Sequence, residues 1–464
     1  MIGEPIQAPT QPTTTFKRDA TLIESPTSCN FNNSGALGAG MGGPAANGPI
    51  QSHLLIPCSP SHRPRFHCGK VSAKPTSSLN QSGEPTDGPH SCNTTWHFSV
   101  CRHCTNTVVC LAAMWDFRQS QLPILDGLVG CCGANQLNIL VTGGAGYIGS
   151  HACKALAAKG YVPITYDNLS RGNVWAVKWG PLEKADIADG QRLRTVLEKY
   201  RPRALMHFAA YAYVGESVEQ PLLYYGNNFT GTAALLQTVV DFHCIPIVFS
   251  SSCATYGLPE RVPIAEDHPQ RPINPYGRSK LFVERMLADL NVACGLPWIV
   301  LRYFNAAGAD PDGEIGEAHD PETHLIPLVL AAARAGTPAA IFGDDYDTRD
   351  GSCVRDYIHV SDIADAHVQA LEYLLSGGNS CALNLANAYG YSVKEVVAAA
   401  EIVCERIIRS KIAARRPGDP PVLIGDASRA RALLGWKPTR SNLETQIADA
   451  WRWMTSRELV GLRA

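Results

Sequence analysis

The sequence predicts an α/β fold: a doubly wound parallel sheet with a smaller C-terminal lobe. Three observations support this prediction. A β-branched run from Asn138 leads straight into a Gly-x-x-Gly-x-x-Gly turn and an amphipathic helical pattern. From there to about residue 310, strand patterns alternate with helical ones, which implies parallel strands joined by right-handed crossovers. Beyond that point the rhythm becomes irregular, so we expect residues 136–310 to form mainly the sheet domain and residues 311–464 mainly the lobe.

The glycine-rich turn is typical of a dinucleotide site. Its three glycines are Gly143, Gly146 and Gly149. Such a turn needs residues without Cβ, because the backbone must approach a pyrophosphate that the helix N-terminus holds. The next strand, from Val162, ends at Asp167, whose carboxylate can bind a ribose 2′-hydroxyl and would repel the extra phosphate of NADP. Nearby Arg171 is a minor indication of NADP. We therefore expect a Rossmann-like, NAD-binding sheet domain.

Residues 1–135 differ in composition from the rest of the chain. They are rich in Pro, Gly, Ser, Thr and Asn and lack hydrophobic periodicity, which predicts a low-complexity, disordered extension. An over-long reading frame with its true start near Asn138 would explain them as well. Nine of the sixteen cysteines fall here. The group Cys101, His103 and Cys104 lacks a second pair at metal spacing, so we expect no metal site.

Charge and hydropathy exclude several classes of partner. The net charge of −2 gives no reason to expect nucleic acid or an anionic membrane. No uninterrupted apolar stretch reaches membrane-spanning length, and the first residues lack the basic start and apolar core of a secretory signal. We therefore expect a cytoplasmic protein whose cysteines are thiols.

The remaining strands of the sheet domain end in residues that suit a ligand. Parallel strands bring their carboxyl ends to one edge of a sheet, where small residues let a ligand lie against the backbone. Plain packing would explain the small residues equally well. The residues placed at this edge are, in chain order, Asp186, Ile187, Phe208, Ala209, Ala210, Ser252, Phe304 and Asn305.

A catalytic motif follows the fifth strand. Asn274-Pro275-Tyr276 opens a helical pattern, and Lys280 lies four residues beyond the tyrosine, on the same helix face. A nearby ammonium favours the phenolate, so we expect Lys280 to lower the pKa of Tyr276 and make it an acid/base near neutral pH. Ser252, at the end of the preceding strand, can relay a proton between the tyrosine and a substrate hydroxyl.

The C-terminal part combines helical patterns with charged loops. Helices are expected over 325–334, 361–375 and 392–406. Arg355 and Arg416 lie on loops and suit a diphosphate, although ordinary ion pairing explains them equally well.

Six motifs together resemble the UDP-glucose 4-epimerase family of extended short-chain dehydrogenases/reductases, from about Asn138 to about Trp453. They are Thr142-Gly-Gly-Ala-Gly-Tyr-Ile-Gly149, Val214-Gly-Glu-Ser217, Ser250-Ser-Ser-Cys-Ala-Thr-Tyr-Gly257, Asn274-Pro-Tyr-Gly277, Leu301-Arg-Tyr-Phe-Asn-Ala-Ala-Gly308 and Val354-Arg-Asp-Tyr-Ile-His359.

The resemblance implies two sets of contacts and a homodimer. The expected NAD contacts are Gly143, Gly146, Tyr147, Ile148, Gly149, Asp167, Asn168, Asp186, Ile187, Phe208, Ala209, Ala210, Asn227, Ser252, Tyr276, Lys280 and Phe304. The expected UDP-sugar contacts are Ser252, Tyr276, Asn305, His324, Leu325, Ala340, Ile341, Phe342, Arg355, Arg416, Asp419 and Leu423. The C-terminal lobe is thereby expected to bind the nucleotide sugar.

The resemblance also implies the reaction. Tyr276, assisted by Ser252, removes the proton of the sugar 4-hydroxyl while NAD takes the C4 hydride. The 4-keto sugar turns about its diphosphate and takes the hydride back on the other face, which interconverts UDP-glucose and UDP-galactose.

Three positions depart from the family pattern and put substrate range in doubt. Ala212 stands where a lysine often helps to hold the cofactor, and His324 replaces an asparagine near the diphosphate. Leu423 replaces a tyrosine at the sugar wall, which leaves more room beside C2.

Other functions remain open. A 4-epimerase of UDP-xylose/UDP-arabinose or of UDP-N-acetylglucosamine shares these features. A 4,6-dehydratase would carry Asp-Glu where Cys253-Ala254 stands. From a different class, an NAD-sensing regulator would be expected to lack Tyr276 or Lys280, and both are present.

Overall fold

The computed structural model describes residues 136–416 and 418–459. The expected extension over 1–135 and its cysteine group lie outside the described residues. The strands, in chain order, are β1 (Asn138–Thr142), β2 (Val162–Asp167), β3 (Leu182–Lys184), β4 (Ala204–His207), β5 (Ile247–Ser252), β6 (Trp298–Tyr303), β7 (Asn305–Ala307), β8 (Ala339–Phe342), β9 (Val354–His359), β10 (Cys381–Leu385), β11 (Gly390–Ser392), β12 (Ser410–Ala413) and β13 (Val422–Leu423).

Helices connect these strands. They are α1 (Tyr147–Ala158), α2 (Gly190–Tyr200), α3 (Val214–Glu219), α4 (Pro221–Tyr224), α5 (Thr232–Phe242), α6 (Pro275–Cys294), α7 (Leu325–Ala335), α8 (Val360–Leu375), α9 (Val393–Cys404), α10 (Ser428–Leu434) and α11 (Leu443–Leu459). Among the described residues, no helix combines the length and apolar character needed to cross a membrane.

The main sheet has seven parallel strands in the order β10-β6-β5-β4-β1-β2-β3. The chain winds outward from β1 in one direction to β3, then returns to β4 and winds in the other. The order therefore reverses between β1 and β4, which is where an open parallel sheet forms a crevice for a ligand. This topology confirms the predicted doubly wound α/β fold.

Side-chain alternation along β1 explains why helices cover both faces of the sheet. Ile139 and Val141 belong to the core cluster that includes α1 and α8, whereas Leu140 belongs to the cluster of α2, α5 and α6. Successive strand residues point to opposite faces, so a continuous apolar run requires cover on both.

Two smaller sheets build the C-terminal part. β11, β9 and β13 form one with β7, which pairs with β9, and β12 pairs with β8 in the other. The chain also returns to the main sheet, because β10 comes from residues 381–385 and pairs with β6. Each expected region thus contributes one strand to a sheet of the other: β7 pairs with β9, and β10 pairs with β6.

Two local features lie near the later site. A π-helical segment, Tyr225–Gly231, joins α4 to α5. β5 runs to Ser252, so Ser250, Ser251 and Ser252 all lie within the strand.

A buried ion pair ties α6 to β6. Arg302 Nη2 lies 2.6 Å from Glu284 Oε2, and both side chains are less than a tenth exposed. Gln270 also donates to this carboxylate at 2.8 Å. Removing one partner of such a pair leaves the other charge buried and uncompensated.

We predict that Arg302→Met lowers the free energy of unfolding by about 3–5 kcal/mol, because it leaves the buried Glu284 carboxylate without its partner. Arg194→Met is the matched control, since Arg194 lies 3.7 Å from Asp241 and both side chains are about half exposed. Its loss should cost about 0–1 kcal/mol. Urea denaturation of both variants measures the difference, and equal losses would contradict the assignment.

Candidate functional site

A cleft of about 1670 Å³ lies at the carboxyl edge of the main sheet, where the strand order reverses. The turn after β1, the ends of β4 and β5 and the start of α6 contribute to one side of it. The start of α7, the end of β8 and the segment after residue 414 contribute to the other. The sheet domain and the C-terminal lobe thus share one cavity.

The glycine-rich turn brings backbone atoms together at the cleft floor. Gly143 adopts φ +74°, and a Cβ there would lie 2.5 Å from the Ala209 nitrogen. A Cβ at Gly149 would lie 2.2 Å from the Gly143 carbonyl oxygen. Neither position tolerates a side chain, and the first turn of α1 consequently opens directly on the cleft.

Asp167 is fixed at the end of β2 beside this turn. Its carboxylate accepts hydrogen bonds from the backbone N–H of Ala145 at 3.0 Å and of Leu169 at 2.8 Å. Burial raises the pKa of Asp167, and the two N–H donors oppose that rise. Arg171 donates to Glu216 at 2.6 Å and lies over the Tyr213 ring.

Most of the residues expected to contact NAD line the cleft. These are Gly143, Gly146, Tyr147, Ile148, Gly149, Asp167, Asn168, Ile187, Phe208, Ala209, Ala210, Asn227, Ser252, Tyr276, Lys280 and Phe304. Asp186 lies just outside and accepts a hydrogen bond from Asn168 Nδ2 at 2.8 Å. It therefore acts on the cleft through a neighbour.

The start of α6 presents Tyr276 and Lys280. Asn274 caps the helix by accepting from the Gly277 N–H at 2.8 Å, and Pro275 occupies the first helical position. The buried Lys280 Nζ donates to the Ser250 carbonyl at 2.7 Å and lies 5.9 Å from the Tyr276 ring centre. Tyr276, Lys280 and Ser252 all line the cleft.

The charge state of this group differs from the sequence expectation. Burial raises the pKa of Tyr276 to about 12, and Ser252 opposes the rise. Burial lowers the pKa of Lys280 to about 7, and Glu284 offsets part of that fall. The prediction that Lys280 lowers the pKa of Tyr276 was therefore wrong for this structure. Near neutral pH the buried lysine carries only part of its charge, and its amine is turned toward a carbonyl.

Most of the expected UDP-sugar contacts line the same cleft. Arg355 donates to Asp419 at 2.5 Å, and the Arg416 guanidinium lies 4.2 Å from the Phe342 ring centre. The lining residues from this set are Ser252, Tyr276, Asn305, His324, Leu325, Ala340, Phe342, Arg355, Arg416, Asp419 and Leu423. Ile341 is buried instead in a small cluster with Tyr346 and Cys353. It can shape the wall but does not line the cleft.

The sequence patterns did not indicate one cluster of side chains beside the cleft. Glu317, His319, Glu322 and His324 place their ligating atoms within 4.8 Å of one another. The signal was present as Glu-x-His-x-x-Glu-x-His over 317–324, but it lies in an irregular loop that no secondary-structure pattern marks.

Comparison with known proteins gives consistent matches. The family model described as GDP-mannose 4,6 dehydratase matches residues 140–449. A UDP-glucose 4-epimerase of Rhizobium meliloti (strain 1021) is 54% identical over 325 residues, which covers 70% of this chain and 99% of that protein. A UDP-glucose 4-epimerase of Bacillus subtilis (strain 168) is 44% identical over 332 residues and covers 68% of this chain and 97% of that protein.

Solved structures agree with these relatives. The UDP-glucose 4-epimerase of Brucella ovis in complex with NAD aligns with a TM-score of 0.66 at 52% identity, covering 68% of this chain and 97% of that one. The enzyme of Bifidobacterium longum, in complex with NAD⁺ and UDP, aligns with a TM-score of 0.66 at 36% identity, covering 69% and 99%.

We predict that the buried Lys280 makes the ligand-free protein more stable as pH rises from about 7. Its folded pKa of about 7 lies below its usual 10.5, so between these values the unfolded chain binds the proton more strongly. The free energy of unfolding of the wild type should therefore rise across this window relative to Lys280→Met. Urea denaturation at several pH values measures it, with the exposed Lys437→Met as control. A pH-independent difference between wild type and Lys280→Met would contradict the burial argument.

Proposed function

The chain belongs to the UDP-glucose 4-epimerase family of extended short-chain dehydrogenases/reductases, and we propose that it interconverts UDP-glucose and UDP-galactose with NAD as its resident cofactor. One observation supports this most strongly: Tyr276, Lys280 and Ser252 line a single cleft together with the glycine turn, Arg355 and Arg416. The relatives' names point to the same reaction.

The cleft fits the dinucleotide at its floor. Gly143 and Gly149 leave a bare backbone cradle that a Cβ would fill, and Asp167 is held beside it by backbone donors. We assign the NAD contacts to the sheet domain, over 136–310, in agreement with the lining set given above. When bound, NAD supplies an acceptor and donor for the C4 hydride and a positive charge beside the phenol.

We assign the proton transfers to side chains of α6 and β5. Tyr276 accepts the proton of the C4 hydroxyl through Ser252 and later returns it to the same oxygen. Because burial keeps the phenol protonated in the ligand-free cleft, the phenolate has to be favoured by positive charge that arrives with the bound reactants. Lys280, anchored on the Ser250 carbonyl, positions the cofactor ribose and adds its own partial charge beside that of the reactants.

The C-terminal lobe, over 311–464, is assigned the nucleotide sugar. Arg355 and Arg416 offer planar, charged donors that suit the two phosphates, and Asp419 holds Arg355 in place at 2.5 Å. With the diphosphate fixed, the oxidised 4-keto hexose turns and presents its other face. The large cleft volume supports such a turn.

The surroundings of Ser252 favour epimerisation over dehydration. A 4,6-dehydratase needs an additional acid/base pair after the strand-end hydroxyl, where this chain has Cys253 and Ala254. Burial raises the pKa of the Cys253 thiol to about 12, so the thiol is not a substitute acid/base near neutral pH. Relatives from Rhizobium meliloti, Rhizobium leguminosarum and Halalkalibacterium halodurans are each named UDP-glucose 4-epimerase, which also favours hexose over the pentose and N-acetylhexosamine substrates that the sequence left open. An NAD-sensing regulator would not need the complete group Tyr276, Lys280 and Ser252.

A homodimer is part of this proposal. Val218, Leu222 and Phe282, on α3, α4 and α6, are 63%, 82% and 40% exposed. These three helices contact one another, so the apolar side chains share one region that a second copy could cover. Light scattering should give twice the chain mass, and Leu222→Glu should give the monomer. A wild-type monomer at micromolar concentration would contradict the dimer.

A cytoplasmic location is also proposed. The seven cysteines of the described residues, Cys153 to Cys404, are all free thiols, as expected in a reducing compartment.

We predict that Tyr276→Phe lowers kcat by about 10²–10⁴-fold, the usual contribution of a general acid/base. The ring that packs at the start of α6 is kept, so the variant should match the wild type in melting temperature and in bound NAD. Tyr389→Phe, at a tyrosine 57% exposed, is the matched control and should keep full activity. A Tyr276→Phe variant with more than a tenth of wild-type kcat would refute the assigned role.

A further inference from the structure

The loop between β7 and α7 carries four side chains that converge on one point. Glu317, His319, Glu322 and His324 each direct one ligating atom inward, and these atoms lie within 4.8 Å of one another. His324 is the N-cap residue of α7, so the group sits where the loop meets the helix. Two imidazoles and two carboxylates form a donor set that suits Zn²⁺.

Three of the distances between the converging atoms are close to those around a common ligand. His319 Nδ1 lies 3.0 Å from Glu317 Oε1 and 3.8 Å from Glu322 Oε1, and His324 Nδ1 lies 3.7 Å from Glu322 Oε1. Zinc bonds of about 2.0–2.1 Å in a tetrahedron place ligand atoms about 3.3–3.4 Å apart. His324 Nδ1 and Glu317 Oε1 are closer than this and share a hydrogen bond in the absence of an ion, so zinc would separate them.

The direction of the His319 nitrogen supports a bound ion over a hydrogen bond. Its Nδ1 is fully buried and makes no hydrogen bond, even though Glu317 Oε1 is only 3.0 Å away. Two atoms that ligate one metal lie close together with their lone pairs aimed at the metal, so a short distance without hydrogen-bond alignment is expected. Glu317 is itself 6% exposed and directs a carboxylate oxygen at both imidazoles.

The surroundings hold these side chains in place. The Tyr147 and Tyr213 rings pack edge-on against His319, with ring centres 6.1 and 5.6 Å apart, and the His324 ring lies 5.1 Å away. The two carboxylates and two imidazoles therefore present their ligating atoms to one point from packed positions.

A second acidic group in the described residues provides a contrast. Asp310, Asp312 and Glu314 also converge, but the Lys154 ammonium lies 2.7–2.8 Å from each of them. An internal cation already neutralises that group, so it offers a matched negative control.

We propose that Glu317, His319, Glu322 and His324 bind one Zn²⁺ ion. Four protein ligands close the coordination sphere, so the ion is structural and leaves no position for a substrate or an activated water. The ion would hold the loop over 317–324 in place. Glu322 and His324 of this loop line the cleft, and His319 packs against Tyr147. This site goes beyond the proposed reaction and does not depend on it.

Metal analysis of the full chain tests the proposal. The chain is alkylated at its thiols under native conditions, stripped with a chelator and reloaded with Zn²⁺ alone. We expect one equivalent to be retained against a weak competing chelator, and absorption fine structure at the zinc edge to show only nitrogen and oxygen neighbours at about 2.0–2.1 Å. Zinc bound through sulfur at about 2.3 Å, or no retained zinc, would overturn the proposal.

Variants locate the ion within the chain. His319→Ala and Glu317→Gln should each lose the retained equivalent, whereas Asp312→Asn should keep it. Treatment with a chelator should also lower the melting temperature of the wild type. The same treatment should leave the melting temperature of Glu317→Gln unchanged. If His319→Ala fails to fold, Glu317→Gln and the wild-type edge spectrum still decide. Retention of the full equivalent by a folded Glu317→Gln would contradict the site.

Discussion

The close approach of the β1 turn to the end of β4 is the constraint on which the cleft depends. Gly143 and Ala209 meet backbone to backbone, and Gly149 meets Gly143 in the same way, at separations that exclude any Cβ. Because these contacts set the first turn of α1 against the carboxyl edge, the N–H groups of the helix face the cavity. The reversal of strand order at this point opens the crevice, and the ends of β5 and β6 line it together with α7, β8 and the segment after residue 414.

Burial decides the electrostatics of the site. α6 carries Tyr276 and Lys280 on its first turns and Glu284 one turn further, where Arg302 neutralises it. The same helix therefore presents a protonated phenol, a partly neutral amine and a carboxylate paired with an arginine. Burial and the nearest partner determine the protonation of the phenol and of the amine. Around Tyr276 and Lys280 the ligand-free cleft is low in charge, so charge brought there by cofactor and substrate acts with little screening.

Much of this was readable from the sequence, because glycine spacing, strand-end residues and helix caps are local. The alternation of strands and helices and the helix start after Asn274 followed from such patterns, whereas Arg355, expected on a loop, lies within β9. Long-range effects were not readable. The direction of the Tyr276 pKa shift depends on how deeply the ring is buried and on where Lys280 Nζ points, which local spacing does not give. The burial of Ile341, the π-helical segment and the convergence over 317–324 likewise depend on tertiary packing.

In the proposed reaction the hydride leaves and returns at C4 within one cleft. The most direct test uses UDP-glucose carrying deuterium at C4, incubated with the enzyme in ordinary water. UDP-galactose should form with the deuterium retained at C4, since the label passes to the resident cofactor and back without meeting solvent. Loss of the label to water during turnover would contradict it.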